Sequence, residues 1–200
     1  MSGELTFDEA LHKYHLDGIE RPSVSQIISL AGLYGKGKSF FTPDSALRGT
    51  RCHKATELYD RGTLDRSSVA GTKLDKHLEA WINAIGDMEA GIVENEIRFS
   101  HEMEGVIYAG TCDRVLELRD GSLAIADLKT GKKIGRPHGA QTQAYRLGLE
   151  QLLGREIQHA MCIHTRDTGT YKIENYSDPE WQALWVRTLR KYKEQSDGEI

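Results

Sequence analysis

Thiols are scarce in this chain of 200 residues: Cys52, Cys112 and Cys162 stand far apart and form no Cys-x-x-Cys pair. Three thiols cannot hold an iron–sulfur cluster, which takes four, so buried free thiols are expected. No stretch approaches the roughly 20 apolar residues of a membrane-spanning helix, and the start Met1-Ser2-Gly3-Glu4 has no basic-then-apolar signal pattern. A cytoplasmic protein with no membrane partner is the expectation. Positive charge is not in excess either: 26 Lys and Arg against 30 Asp and Glu leave a formal net charge of −4. That balance excludes a protein that coats nucleic acid through bulk charge, although it allows a local basic patch beside an acidic site. There is no internal repeat and no low-complexity linker. Gly32–Gly37 is read as lacking a Gly-Lys-Ser/Thr in the frame of a phosphate loop, so neither a nucleotide-binding module nor an intrinsic motor is expected.

What is present is an ordinary globular composition, 38% hydrophobic and 28% charged, at a length that buries a substantial core in one domain. Short β-like pieces occur within residues 4–20, with Asp17-Gly18 as a turn. Pro22-Ser23 opens a periodic helix over Val24, Ile27, Ile28 and Leu30, with Ser23 or Ser25 as its cap. Residues 33–41 read as a flexible basic loop. Thr42-Pro43-Asp44 starts a helix to about residue 60, and residues 61–70 read as a polar connection. The spacing of Leu74, Leu78, Trp81, Ile82 and Ile85 predicts a helix over about 71–88. Strands follow at about 91–100, 105–118 and 122–129, with a hairpin turn at Asp120-Gly121. A helix over 138–152, strands at 157–165 and 170–175, and a helix from Asp178-Pro179-Glu180 to about 194 complete the chain. The fold class is α/β, a mixed β-sheet flanked by α-helices. Residues 1–41 form an N-terminal extension, 42–165 the core, and 166–200 a C-terminal strand and helix.

The chemistry is concentrated in Ile125-Ala126-Asp127-Leu128-Lys129-Thr130 and in Gly110-Thr111-Cys112-Asp113. Residues 127 and 129 are two apart, so on a strand they share a face. A carboxylate inside the apolar run Leu123–Ala126 is costly unless a cation or hydrogen bonds compensate it. Lys129 could do so as a simple ion pair. Two acids and a lysine together fit a divalent-metal site better, with oxygen ligands from Asp113 and Asp127 and the backbone carbonyl of Leu128. Mg²⁺ or Mn²⁺ there, with Lys129 beside the water, is the chemistry of phosphodiester cleavage. Basic side chains follow at Lys132, Lys133 and Arg136, and Arg48 and Arg51 precede the site; these five are the candidates for phosphate contacts. No element reads as a base-reading recognition helix, so low sequence specificity is expected.

The order Gly110-x-x-Asp113, Asp127-x-Lys129-Thr130, Gln141-x-x-x-Tyr145 resembles the PD-(D/E)XK nuclease superfamily, in its RecB-like and phage recombination exonuclease branch. The resemblance spans about residues 45–165. It implies a restriction-endonuclease-like core and catalytic roles for Asp113, Asp127, Lys129, Gln141 and Tyr145. Gln141 and Tyr145 lie one helical turn apart and share a face. Arg48-Gly49-Thr50-Arg51-Cys52-His53 matches the family's upstream helix, which implies His53 as a metal ligand, with Glu57 and Glu96 as further acidic candidates. The four-cysteine cluster of several relatives is absent. The resemblance implies a metal-dependent DNA exonuclease of recombination, replication or repair, in a bacterial or phage-infected cell. Its substrate would be single- or double-stranded DNA. A helicase or single-strand annealing protein would be its partner, and a homo-oligomeric ring its assembly. A structure-selective endonuclease on the same fold is the alternative, as is a catalytically idle nucleic-acid-binding member.

Overall fold

The structure is a computed structural model that describes residues 3–35, 42–131 and 134–198. Three short strands come first, β1 (Leu5–Asp8), β2 (Lys13–Leu16) and β3 (Ile19–Arg21), paired antiparallel into a small sheet of their own. Helix α1 (Val24–Leu30) follows, and Ser23 is its cap. The Ser23 hydroxyl accepts from the Gln26 amide at 3.1 Å, and the Gln26 side chain accepts from the Ser23 amide at 2.7 Å, a reciprocal box that satisfies two otherwise orphaned donors. Helix α2 (Pro43–Asp60) is capped by Thr42, and α3 (Lys73–Asp87) by Thr72. The intervening polar stretch contains one 3-10 turn at Arg66–Ser68.

The main sheet has the order β4 (Gly91–Met103), β5 (Val106–Glu117), β6 (Leu123–Lys129), β7 (His159–Thr165), β8 (Tyr171–Asn175). All its pairs are antiparallel except β6–β7, which run parallel. A parallel pair needs a crossover, and α4 (Arg136–Leu153) provides it; α5 (Pro179–Asp197) closes the chain. This is the expected mixed sheet flanked by helices. Strand β4 runs three residues past its expected end because Glu104-Gly105, both at positive φ, turns tightly into β5.

Alternation along the buried strands divides the core in two. Leu123 and Ile125 face a cluster with Phe99, Tyr108 and Val115 that packs on α1, α4 and α5 through Ile27, Ala144, Leu149 and Trp185. Ala124, Ala126 and Leu128 face the other way, against Cys52 of α2, Trp81 and Ala84 of α3, and Ile163. Cys52, Cys112 and Cys162 are free and buried, as expected. No helix among the described residues is long and apolar enough to cross a membrane.

Gly32-Leu33-Tyr34-Gly35-Lys36-Gly37-Lys38-Ser39 does satisfy the letters of the phosphate-loop pattern G-x-x-x-x-G-K-S, contrary to the reading of Gly32–Gly37 above. That pattern works when a strand leads into it; here a helix, α1, does. The flexible loop read over 33–41 falls largely on 36–41, outside the described residues.

Candidate metal and phosphodiester site

The site begins with a departure from sheet pairing. The β5–β6 ladder runs from Glu117/Leu123 to Arg114/Ala126; one step further the two strands present Asp113 and Asp127. Beyond the last pair, the Leu128 amide donates to the Asp113 carboxylate at 2.7 Å instead of to a strand partner. A carboxylate thus replaces a ladder carbonyl, and both groups stay satisfied in a buried setting.

On the other side of β5, the pairs Asn95/Arg114 and Ile97/Cys112 flank Glu96, which therefore stands level with Asp113. Glu96 has φ +51, a left-handed conformation that costs an L-residue about 1–2 kcal/mol. Such strain concentrates where a side chain must be aimed. Helix α2 brings the third group: His53 Nδ1 lies 3.1 Å from Asp113 Oδ1. His53, Glu96 and Asp113 each place a donor atom within 4.8 Å of the others. A cation with ordinary ligand distances of roughly 2.0–2.6 Å fits among donors so spaced.

The electrostatics point the same way. Burial and the neighbouring Asp113 carboxylate push Glu96 up to about 7. Asp113 is itself buried, which opposes its charge, but His53, Lys129 and the Leu128 amide hold it down at about 2. His53 is raised above its ordinary value: burial opposes its charge, and the Asp113 carboxylate outweighs that. Two acids facing each other across 4.8 Å or less are a poor arrangement without a cation and a good one with it.

Asp127 and Lys129 share one face of β6, as their spacing predicts, and are joined at 2.6 Å. The Cys162 thiol on the adjoining strand also donates to Asp127, at 3.5 Å. Burial raises Asp127, with Lys129 opposing. Burial by itself would lower Lys129, yet Asp127 and the other nearby acids raise it well above a free lysine, so it is an ammonium at neutral pH. Asp127 thus lies beside the three-donor group while its carboxylate engages Lys129. Gln141 donates to the Tyr145 hydroxyl at 2.7 Å, one turn apart on α4. Tyr145 fits against β5 because residue 110 is glycine: a Cβ there would lie 3.0–3.1 Å from the Phe99 and Tyr145 rings.

These residues line one cleft of about 540 Å³ together with the N-terminal sheet. His53, Glu57, Glu96, Asp113, Asp127, Lys129, Gln141 and Tyr145 all reach it. Glu57 is engaged by Lys54 at 2.9 Å and Arg61 at 3.1 Å, and no hydrogen bond joins it to His53. Leu128 contributes its amide to Asp113, while its carbonyl stands only as a candidate ligand. Arg48, Arg51 and Arg136 are exposed and lie outside the cleft lining. Lys132 and Lys133 are outside the described residues. Among the described residues the cleft's cations are Lys54, Arg61, Arg98 and Lys129.

Sequence reasoning missed Arg114. Its side chain is 1% exposed and clasps Asp60 at 2.6 Å, the Asp113 carbonyl at 2.6 Å and the Thr56 hydroxyl at 3.2 Å, with Glu96 at 3.5 Å. It ties α2, which carries His53, to the strand that carries Asp113. A guanidinium next to Asp113 and directly before the apolar Val115-Leu116 of a strand that reads as buried was the available signal.

No family model matches the chain, and no curated protein does. Among solved structures, a protein from Eubacterium rectale described as a "putative exonuclease" aligns at TM-score 0.51, with 15% identity, over 90% of this chain and 82% of its own. The two share a fold. The structure of SSO0001 aligns at TM-score 0.42 with 14% identity over 84% of each chain, too distant a likeness to add to it.

Proposed function

We propose that this protein is a metal-dependent deoxyribonuclease of the PD-(D/E)XK type, hydrolysing phosphodiester bonds and releasing nucleotides from DNA ends. The observation that carries the reading is the convergence of His53, Glu96 and Asp113 within 4.8 Å beside the Asp127–Lys129 pair in one cleft. The fold shared with a protein described as an exonuclease is consistent with it.

The donor set, one imidazole with two carboxylates, suits Mg²⁺ or Mn²⁺, with Mn²⁺ the more tolerant of nitrogen. Bound there, the ion would polarise the scissile phosphate and make a water more acidic. Asp113 is kept ionised by His53 and the Leu128 amide and is ready to ligate. Asp127 holds the Lys129 ammonium in place. Lys129, remaining protonated, acts as a hydrogen-bond donor and charge stabiliser toward the phosphoryl oxygens, not as a base. Gln141 and Tyr145 present polar groups on the same cleft wall and would orient the substrate. Arg48, Arg51 and Arg136 would contact phosphates away from the cleft.

The test is incubation of the full chain with linear and covalently closed circular DNA in Mg²⁺, Mn²⁺ or chelator. Nucleotide release from linear DNA alone supports the exonuclease, and nicking of circles indicates an endonuclease. Lys129→Ala is expected to lower the rate about 10²- to 10⁴-fold while Mn²⁺ binding persists, whereas Asp113→Asn is expected to lose both. No cleavage by the wild type in either metal, or full activity in Lys129→Ala, sinks the reading.

A further inference from the structure

One wall of the cleft comes from the N-terminal sheet and is aromatic. Phe7 of β1 lies 4.5 Å from Tyr14 on one side, with the ring planes inclined at 37°. The Arg98 guanidinium of β4 covers it at 5.1 Å, and His12 meets it edge-on at 5.1 Å. Phe7 is half-buried and Tyr14 buried, while His12 and Arg98 are exposed. His12 and Arg98 thus offer the larger exposed surface of the group, and all four residues line the cleft.

This wall is built and attached. The Asp8 carboxylate accepts from the amides of Ala10 and Leu11, both at 2.9 Å, which shapes the turn that presents His12. His12 takes φ +54 there, at a cost that a turn free to relax would avoid. The Tyr14 hydroxyl bonds Thr111 at 2.8 Å, two residues before Asp113. The Ala109 amide donates to the Pro22 carbonyl at 3.0 Å, and Ser23 bridges to Ala109. The N-terminal sheet is thus pinned to the strand that carries the metal-holding carboxylate. Arg98 follows Glu96 by two residues on β4, pairs with Thr111 two residues before Asp113, and lines the same cleft as both acids.

We propose that the Phe7–Arg98–His12 wall is a nucleobase-stacking site, and that the cleft takes a single-stranded DNA end with one base against this wall and its phosphate at the His53–Glu96–Asp113 group. The proposal rests on the nuclease reading above and names the form of DNA it acts on. Flat faces of arginine and aromatic rings are what unpaired bases stack on, in a sequence-tolerant manner. A base inside a duplex has no free face to offer, so the strand must be single where it meets the wall. A cleft of about 540 Å³ is in the range of small-molecule pockets, a space for one strand. Arg98 carries charge as well as a plane, and its pairing with exposed Glu9 is loose at 3.7 Å, which leaves it available to a phosphate or base.

The experiment is fluorescence anisotropy of the full chain with Ca²⁺ in place of Mg²⁺ or Mn²⁺. The probes are an oligothymidylate, an abasic oligomer of equal phosphate number, and a blunt duplex of the same length. The wild type is expected to bind the thymidylate about 5- to 150-fold more tightly than the abasic oligomer, and more tightly than the duplex. Arg98→Lys keeps the charge and removes the plane; Phe7→Leu keeps the apolar bulk and removes the ring. Each should bring that ratio toward one with little change in abasic affinity, and a thermal melt confirms folding. Should either variant fail to fold, the wild-type ratio still decides. Equal wild-type affinity for the two single strands, tighter duplex binding, or a ratio retained in both folded variants overturns the proposal. Base-dependent binding without cleavage in Mg²⁺ or Mn²⁺ would uphold the stacking site and defeat the nuclease reading; cleavage without base preference would do the reverse.

Discussion

Replacing Arg114 with methionine tests whether the site is held together from beneath. Arg114 and Asp60 are 1% and 4% exposed at the side chain and 2.6 Å apart. Arg114→Met keeps most of the stem volume and its contact with the Trp81 ring, over which the guanidinium lies at 5.2 Å. What it removes is the countercharge of Asp60, leaving that carboxylate only the Trp81 indole N–H at 3.0 Å, together with the donor to the Asp113 carbonyl. Breaking a buried pair from one side costs about 3–5 kcal/mol, since the partner stays buried and uncompensated. For a chain of this size that corresponds to a fall in Tm of about 6–20 °C. The assay is urea unfolding and thermal melting of the wild type, Arg114→Met, Asp60→Leu and the double variant. The double variant should be less destabilised than the sum of the two singles, because it leaves no orphaned charge. Loss of the tie behind Asp113 should also weaken Mn²⁺ binding about 10- to 100-fold, as is usual for partners that orient metal ligands. A loss below about 1 kcal/mol in the single variant, or strict additivity in the double, refutes the reasoning.

Two further outcomes follow from the same geometry. Glu96 sits at about 7 and His53 is raised above its ordinary value, and both must lose a proton to ligate; Mn²⁺ affinity should therefore fall about 10- to 100-fold per unit as pH drops below about 7, and level off above about pH 8. Calorimetry across that range checks it, and an affinity unchanged from about pH 6 to about pH 8 refutes it. Gly148→Ala would drive a Cβ into the Phe99 ring, which is 1% exposed and wedged edge-on against Tyr108 and Tyr145; a loss of about 1–3 kcal/mol in urea unfolding is expected, and an unchanged midpoint would show that Phe99 can move.

Sequence patterns reached far into this protein because the relevant periodicities are local. Helical spacing located α3, turn residues located the β5–β6 hairpin, and the two-residue step between Asp127 and Lys129 placed both on one face. The Gln141–Tyr145 pair was legible for the same reason. Capping residues were ambiguous in sequence, since Ser23 and Ser25 both qualify; the Gln26 side chain that completes the reciprocal box settles it in favour of Ser23. Partners distant in the chain were out of reach. Glu57 shares a helix face with His53, and sequence could not tell that Lys54 and Arg61 would claim it.

By itself, then, the sequence determined the order and type of the elements and marked Asp127 as too polar for its surroundings without compensation, with Lys129 on the same face and Asp113 on the neighbouring strand as its candidate company. Only the tertiary structure decided what compensates each of them. Strand divergence gives the Leu128 amide to Asp113, β4 in a left-handed turn of backbone brings Glu96 level with it, and helix α2 supplies His53 from 60 residues away. It also brought β1 and β2, which looked like an extension, to form the aromatic wall of the same cleft. The physical reason is that burial penalises a charge locally, and so can be read from a neighbouring run of apolar residues, whereas its remedy is a contact in space that no local pattern encodes.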